Sequence, residues 1–501
     1  EIDTPVAIRD LKRFAADQVD FKTLPIPDIQ DKPERIAIVG SGPAGMTVAY
    51  YLRLKGYQIT IFEALDQLGG MLRVGIPDYR LPPEILENEI NYILNHGIEA
   101  RTNVRFGQDL TLKNLKDKGF SAVFLGIGAH ESLHMKIPGE ENVQGIIDSV
   151  TLLRQINLGA KTAPGKQVIV IGGGNVAIDA ARSVKRLGTK KVTVVYRRSE
   201  QEMPAYEDEI KGAVEENIEI LYLTTPVQIK SLDGKVTGIE CIKTELGPPD
   251  DSGRRRPVPM EGSEFIIPCD AVIPAIGQKI DVSWADGQPD LVLTSQNRFE
   301  VNSYTFQTSL PYVFAAGDAV TGPATVIEAV AAGHKAVEAI HRYIKGENLE
   351  EYEGQQKDAS SPGTEWKPIS KDIEKAVRVA SNHLDPVNRS ACFDEVDINF
   401  SEDAAILEAA RCLDCGGCCE CKLCVDACEA KAINHDMTDT LKTIDVGSII
   451  VATGFDALDP TPMVLYGYGK YANVFTNLEF ERLSNATGPT SGKLLKRDPD
   501  D

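Results

Sequence analysis

Two short glycine runs carry the first recognisable chemistry in this 501-residue chain. Gly40-Ser41-Gly42-Pro43-Ala44-Gly45 has the spacing G-x-G-x-x-G, and Gly172-Gly173-Gly174-Asn175-Val176-Ala177 repeats it with Ala in the third place. In such a loop the first glycine permits a tight turn and the second lets a pyrophosphate approach the backbone. The third lets the following helix pack closely on the strand. A further cluster lies far downstream. Seven cysteines, Cys412, Cys415, Cys418, Cys419, Cys421, Cys424 and Cys428, fall within 17 positions. Two nucleotides on one chain imply that one reduces the other, and crowded thiolates offer the electrons a third station.

Each loop needs a strand before it and a helix after it. Arg35–Val39 reads as the first strand, Met46–Lys55 as its helix, and Gln58–Glu63 as the next strand. Glu63 ends that strand, where a carboxylate accepts ribose hydroxyls. Ser121–Gly126 reads as another buried strand. The second unit repeats the order: strand Gln167–Ile171, helix Ala177–Leu187, strand Lys191–Tyr196. Here the strand ends not in an acid but in Arg197-Arg198. Two guanidinium groups suit a 2′-phosphate, which favours NADPH over NADH; the plain alternative is a solvated basic turn. Residues 218–273 read as a β-meander with Arg254–Arg256 at a solvated hairpin tip. Tyr312–Ala316 is one more strand, followed by Gly317-Asp318 and a helix from Thr325 to Lys345. Asp318 can bond a ribityl hydroxyl, and the helix start at Thr325-Val326 can stabilise charge on a reduced isoalloxazine, which favours FAD for the first site. A Gly-Asp pair alone would be only a turn.

Composition narrows the classes. A formal net charge of −21 argues against nucleic acid and anionic membrane surfaces, and 42% hydrophobic residues suit globular cores. No run approaches the roughly 18 apolar residues of a membrane span, and no basic-plus-apolar leader is present. The chain begins at Glu1 rather than Met. Crowded cysteines point to metal–sulfur ligation in a reducing, cytoplasmic compartment. Cys241, Cys269 and Cys392 are scattered and read as small buried thiols. The second unit has no redox Cys-x-x-Cys, since its helix reads Ile178-Asp179-Ala180-Ala181-Arg182, so no protein disulfide should carry the electrons. His130, His134 and His334 show no ligand spacing and read as surface or packing residues.

Cys418-x2-Cys421-x2-Cys424-x3-Cys428 has bacterial ferredoxin spacing, with Glu429 in place of the usual proline. This points to at least one [4Fe–4S] cluster; zinc is the rival. Cys412, Cys415, Cys418, Cys421, Cys424 and Cys428 are the ligand candidates. Cys419 is set aside because it abuts Cys418. Whether Cys412 and Cys415 serve a second cluster stays open.

With these residues in place, the first 350 positions resemble the flavin module of the glutamate synthase small-subunit family. The matching stretches are Asp3–Phe14, Gly69–Pro77, Tyr79–Pro82, Tyr196–Arg198 and Ala315–Asp318. The resemblance implies FAD contacts at Pro43, Ala44 and Gly45, at Glu63 through Gly69, Gly70 and Met71, at Arg80, and across Gly317, Asp318, Thr325 and Val326. It implies pyridine-nucleotide contacts at Gly174, Asn175, Val176 and Ala177, at Arg197 and Arg198, and at Ala275, Ile276 and Gly277. Residues 405–501 resemble the A subunit of heterodisulfide reductase through Cys412–Ile433, Val446–Gly454, Tyr466–Gly469, Asn477–Leu483 and Gly488–Thr490. Both resemblances place this chain inside a longer protein.

The expected fold is α/β, with two Rossmann-like dinucleotide-binding domains for FAD and NAD(P)H in a disulfide-reductase-like arrangement and a small ferredoxin-like iron–sulfur segment. Residues 1–30 would end a truncated N-terminal iron–sulfur domain. Residues 31–160 with 286–350 would bind FAD, and 161–285 NAD(P)H. A linker at 351–390 would lead to the ferredoxin-like segment 391–440 and to a second flavoprotein-like unit from 441 to 501. The expected function is electron transfer from NADPH through FAD to [4Fe–4S] clusters, then to a ferredoxin-like or heterodisulfide reductase-like acceptor among other redox subunits. The alternatives are a glutamate synthase small subunit and a non-catalytic redox scaffold.

Overall fold

The computed structural model describes residues 4–249, 255–284, 290–352 and 373–413. Beyond these it describes 460, 465, 467–468, 470–471, 473–485 and 493. The chain divides into two compact units, residues 1–421 and 422–501.

In the first unit, α1 (Ile8–Asp17) precedes a βαβ unit of β1 (Arg35–Val39), α2 (Pro43–Leu54) and β2 (Gln58–Phe62). Then come α3 (Met71–Val74), α4 (Pro83–Leu94), β3 (Glu99–Arg101), α5 (Leu112–Asp117) and β4 (Phe120–Leu125). The short strand β5 (Glu131–Ser132) and α6 (Ser149–Asn157) lead to β6 (Gln167–Ile171), α7 (Asn175–Arg186), β7 (Lys191–Val195), α8 (Glu207–Glu215) and β8 (Glu219–Leu221). Four longer-range partners follow: β9 (Thr224–Leu232), β10 (Lys235–Pro249), β11 (Arg255–Pro259) and β12 (Phe265–Pro268). The unit continues through β13 (Ala271–Pro274), β14 (Gln278–Lys279), β15 (Val313–Ala315), α9 (Asp318–Thr321), α10 (Val326–Ile344), α11 (Pro386–Arg389) and α12 (Glu402–Ala409).

The strands β1, β6 and β7 each bury their last four residues. Such unbroken apolar runs belong inside parallel sheets covered on both faces. One sheet runs β15-β4-β1-β2-β3 and another β13-β6-β7-β8, all neighbours parallel. In the first sheet β1 lies between β4 and β2, so its carboxyl end opens at the point where chain direction across the sheet reverses. That is where α/β sheets bind ligands. α2 and α10 cover one face of this sheet around Ile36, Ile38, Val48, Leu52 and Ala336. Gly333 permits their close approach: a Cβ there would stand 3.1 Å from the Ala44 carbonyl and from Thr47.

The stretch 218–273 is not one meander. Only β9–β12 form the antiparallel sheet, while β8 and β13 join the parallel one. Their apolar content is compatible with either, and tertiary pairing decides. The turn between β9 and β10 has Asp233 at φ 50° and Gly234 at φ 74°, the left-handed pair of a tight hairpin.

Residues 373–413 return to the body of the unit. Arg389, 4% exposed, donates to Glu216 at 3.1 Å and to Glu215 at 2.6 Å. The amide of Val396 donates to the Tyr79 carbonyl at 2.9 Å. Ala405 and Phe400 pack with Ala7, and Glu408 accepts from the amides of Ala7 and Val379, each at 2.7 Å. The linker expected at 351–390 therefore ends in packed structure. Its polar composition hides a buried arginine with two carboxylate partners. Likewise α6, expected in the first nucleotide domain up to residue 160, buries Leu152 and Ile156 in the core around α7. In the second unit α13 (Asn477–Ser484) is capped by Thr476, whose hydroxyl accepts from the Glu479 amide at 3.2 Å. The strand expected at Val446–Thr453 lies outside the described residues.

Candidate dinucleotide-binding cleft

Both glycine loops follow the same construction. Gly40 has φ 96°, and a Cβ there would stand 2.3 Å from the Gly126 carbonyl. A Cβ on Gly45 would stand 2.0 Å from the Gly40 carbonyl oxygen, so helix and loop could not close with any side chain present. A Cβ on Gly42 would meet nothing within 4 Å. In the second loop Gly172 has φ 147° and abuts the Ala275 carbonyl, while Gly174 again faces open space. Gly42 and Gly174 are the N-caps of α2 and α7, and neither offers a side-chain cap. Their first-turn amides are left for an anion, which the positive helix end favours. Turn, opening and uncapped helix are what two diphosphates require, so the residues present fit both groups.

The strand ends beside the loops differ. Glu63 is 6% exposed. It accepts from the Ser41 amide at 2.9 Å, the Ser41 hydroxyl at 2.6 Å and the Leu65 amide at 2.9 Å. Ser41 in turn accepts from the Gly69 amide at 3.0 Å. One buried carboxylate thus joins the glycine loop to the 65–70 segment. At the second loop the ring of Tyr196 lies against Gly173, and its hydroxyl donates to the Glu202 carbonyl at 2.6 Å. Arg197 is exposed. Arg198 is 4% exposed and donates from Nε to the Arg255 carbonyl at 2.7 Å. Of the two guanidinium groups paired by sequence, Arg198 is thus also committed to holding the neighbouring sheet. Arg255 and Arg256 are exposed, as a solvated tip requires, and Arg255 also bonds Glu202 at 2.8 Å; Arg254 lies outside the described residues.

At the far side Gly317 turns with φ 72° into α9, whose first residue is Asp318. Burial pushes the Asp318 carboxyl up to about 6, against the pull of the Ala324 amide that it accepts at 3.2 Å. Thr325 caps α10 in a box with Glu328. Arg80 is engaged elsewhere: it donates to Asp179 of α7 at 2.8 and 3.0 Å and pairs with Glu209 at 3.2 Å. Burial pushes Asp179 up to about 6 as Arg80 draws it back. Tyr79 beside it is fully buried beneath the Arg186 guanidinium, 3.9 Å from its ring centre. The Tyr79-Arg80 turn therefore ties the first sheet's loops to α7.

Both loops, Glu63, Gly70, Met71, Arg80, Arg197, Arg198, Ala275–Gly277, Gly317, Asp318 and Pro323–Val326 line one continuous cleft of about 1980 Å³. That is roughly twice the ~1,000 Å³ upper end of ordinary small-molecule sites, so it accommodates two nucleotides. Among the site residues expected from sequence, Gly45, Gly69 and Ala177 do not line it. They are its packing residues. Sequence reading missed others on its wall, among them His130, Ser132, Arg154 and Gln278. His130, expected as a surface or packing residue, is half-buried there; its position just after Gly126-Ile127-Gly128 was the available signal. Of the cysteines expected as ligands, Cys412 is described and exposed. Cys415, Cys418, Cys421, Cys424 and Cys428 lie outside the described residues. Among the described residues no group of three His, Cys, Asp or Glu side chains is placed to hold a metal, and no helix is long and apolar enough to cross a membrane.

The family model for pyridine nucleotide-disulphide oxidoreductases matches residues 34–333. The NADP(+)-dependent formate dehydrogenase subunit beta of Moorella thermoacetica is 40% identical over 446 residues, covering 83% of this chain and 62% of the relative. The NADPH-Fe(3+) oxidoreductase subunit beta of Geobacter sulfurreducens is 37% identical over 447 residues, 83% of this chain and 66% of the relative. The chain thus spans less than two thirds of either. The glutamate synthase [NADPH] small chain of Escherichia coli is 34% identical over 359 residues, covering 68% of this chain and 75% of the relative. Among solved structures, FprA of Mycobacterium tuberculosis in complex with NADPH shares the fold, with a TM-score of 0.54 at 19% identity over 66% of this chain and 88% of that one.

Proposed function

The chain belongs to the pyridine nucleotide-disulphide oxidoreductase family, and from that premise we propose that it is an NADPH-oxidising flavoprotein electron-transfer subunit. The observation that carries the reading is the single cleft onto which both uncapped glycine loops open. We read residues 31–160 with 286–350 as the flavin-binding part and 161–285 as the nicotinamide-binding part. FAD, when bound, accepts hydride from a nicotinamide and releases electrons singly.

The chain's own residues supply position and charge. The α2 and α7 N-termini receive the two diphosphates. Glu63, already fixed by Ser41 and Leu65, has lone pairs left for adenosine ribose hydroxyls. Asp318 accepts a ribityl hydroxyl, and the positive start of α10 faces the charge that develops on a reduced ring. Val326, Ile327 and Ile276 line the cleft and are 43%, 69% and 42% exposed; bound rings would cover them and exclude water. Arg197 faces the 2′-phosphate. Cys412, Cys415, Cys418, Cys421, Cys424 and Cys428 would hold [4Fe–4S] clusters, as their ferredoxin spacing supports. Such clusters supply one-electron carriage toward a partner subunit. Two relatives named above are subunits of a formate dehydrogenase and an NADPH-Fe(3+) oxidoreductase, which supports a place in a complex. We further propose a heterodisulfide reductase-like complex, bifurcating or not, on the resemblance of residues 405–501.

A glutamate synthase small chain is the second reading, favoured by the 34% identity over 68% of the chain. The cysteine cluster lies beyond that flavin module and weighs against it. Anaerobic titration of the flavin-loaded chain with NADPH and NADH separates these ideas from a scaffold. NADPH should bleach the flavin stoichiometrically, followed by a reduced-cluster EPR signal. Failure of both nucleotides to bleach it would overturn the proposal.

A further inference from the structure

The first glycine loop has no charged side chain in Gly40–Gly45, and two of the groups that flank it in the cleft, Glu63 and Asp318, are acids. On a chain of net charge −21, a bound diphosphate would meet the α2 N-terminus, worth about half a charge, and Arg105, whose side chain is half exposed and already 3.6 Å from Asp281. The opposite wall adds further donors. There β5 and β14 form a two-stranded antiparallel ribbon with Ser132 opposite Gln278. Directly opposed residues share a face. That face turns to α6: Ser132 donates to Asp148 at 2.6 Å, and Arg154 donates from Nη2 to Nδ1 of His130 at 3.2 Å. Accepting at Nδ1 fixes His130 as the neutral tautomer with its proton on Nε2.

Two donors on this wall are unspent. Arg154 Nε and Gln278 Nε2 are buried without a hydrogen-bond partner among the described residues. Arg154 also forms no ion pair with a described carboxylate. Asp148, the acid whose charge acts on it, is committed to the Ser132 hydroxyl and the Thr151 amide. Buried donors are nearly always satisfied, so a guanidinium Nε and an amide Nε2 that both lack a partner among the described residues point to an acceptor-rich group that is anionic. The wall also lies on the side of the first loop. β5 follows β4, which pairs with β1, and the charges of Glu63, Arg105 and Arg154 all act on His130.

We propose that Arg154, oriented by His130 and assisted by Gln278, is a side-chain cation for the diphosphate of the flavin dinucleotide. Arg154 and Gln278 meet the face of the diphosphate that points away from α2. The inference rests on the first loop holding FAD, and the experiment separates the two. Apo-chain, freed of flavin, is titrated with FAD by flavin fluorescence, and ADP and adenosine are used as competitors. If the unmodified chain does not bind FAD, the reading of the first loop fails. If it binds, Arg154→Ala should weaken FAD and ADP about ten- to a hundredfold, the loss of one charge-assisted contact, while adenosine competes as before. Arg154→Lys should restore part of the affinity, and Gln278→Ala should cost less than Arg154→Ala. Melting curves of the apo-variants check folding. Unchanged FAD affinity in Arg154→Ala overturns the inference. So does an equal loss for ADP and adenosine, which would mean that Arg154 only shapes the pocket.

Discussion

The two glycine loops are built alike and fastened differently. Beneath the first lies a charge: Glu63, buried, takes three hydrogen bonds from Ser41 and Leu65. Beneath the second lies a ring, Tyr196 against Gly173, and the arginine after it stands exposed. A buried carboxylate is tolerable only when its hydrogen bonds are complete, so Glu63 serves the fold before any ligand arrives. A ring needs no such partners, and it leaves the strand end free for a residue that selects. The first site is therefore inseparable from its scaffold. The selectivity of the second rests on a side chain that the scaffold can lose.

The sharpest break of this comparison lies at the third loop position, Gly45 in one and Ala177 in the other. Gly45→Ala puts a methyl 2.0 Å from a backbone oxygen that cannot yield. We expect a loss of about 3 kcal/mol or more and little retained flavin. Ala177→Gly removes a buried methyl near a helix start and should cost about 1 kcal/mol. Urea unfolding midpoints with flavin content read both. Equal losses would mean that the loops are fastened alike after all.

The next effect separates the neighbours Arg197 and Arg198. Arg197→Ala should raise KM for NADPH about ten- to a hundredfold, leave NADH and kcat near their starting values, and shift stability by no more than about 0.5 kcal/mol. Arg198→Ala, losing a buried bond to the Arg255 carbonyl, should cost roughly 1.5–3 kcal/mol of stability. Steady-state kinetics with both nucleotides, beside unfolding curves, check the pair. A large stability loss in Arg197→Ala would erase the distinction between selecting and supporting residues.

What sequence could tell follows the range of the interaction. Gln167–Ile171 is the same five residues in the reading and in the structure, because a strand buried on both faces is an apolar run with sharp polar or glycine ends. The geometry of the glycines and the place of Glu63 at the strand end were legible because they depend on spacing within one βαβ unit. The cleft's other wall was not. β5 and β14 are two residues each, too short for any period, and they pair Ser132 with Gln278 across most of the second sheet. Arg80 reaches Asp179, 99 positions away, and Ala7 reaches Glu408, 401 away. No local pattern records such partners. Polar residues 373–390 read as a tether because burial of Arg389 depends on Glu216, which composition cannot place.

The smallest effect concerns the other acid of the first site. Asp318, unlike Glu63, accepts one amide and is otherwise desolvated, which raises its carboxyl to about 6 from an ordinary value near 4. A raised carboxyl is more readily protonated folded than unfolded. Its favourable share of stability is therefore complete below about pH 4 and lost as pH rises through about 6. In flavin-free chain, Asp318→Asn should gain about 1–2 kcal/mol at pH 7.5, after allowance for partial solvent screening, and about a third of that at pH 4.5. Asp179 titrates in the same window, but it is common to both chains and cancels from the difference. Urea unfolding at the two pH values reads the gain, and FAD titration should move the other way, since the amide no longer offers a full acceptor to a ribityl hydroxyl. A variant that is both less stable at pH 7.5 and weaker for FAD would place Asp318 with Glu63, as a carboxylate that the scaffold itself requires.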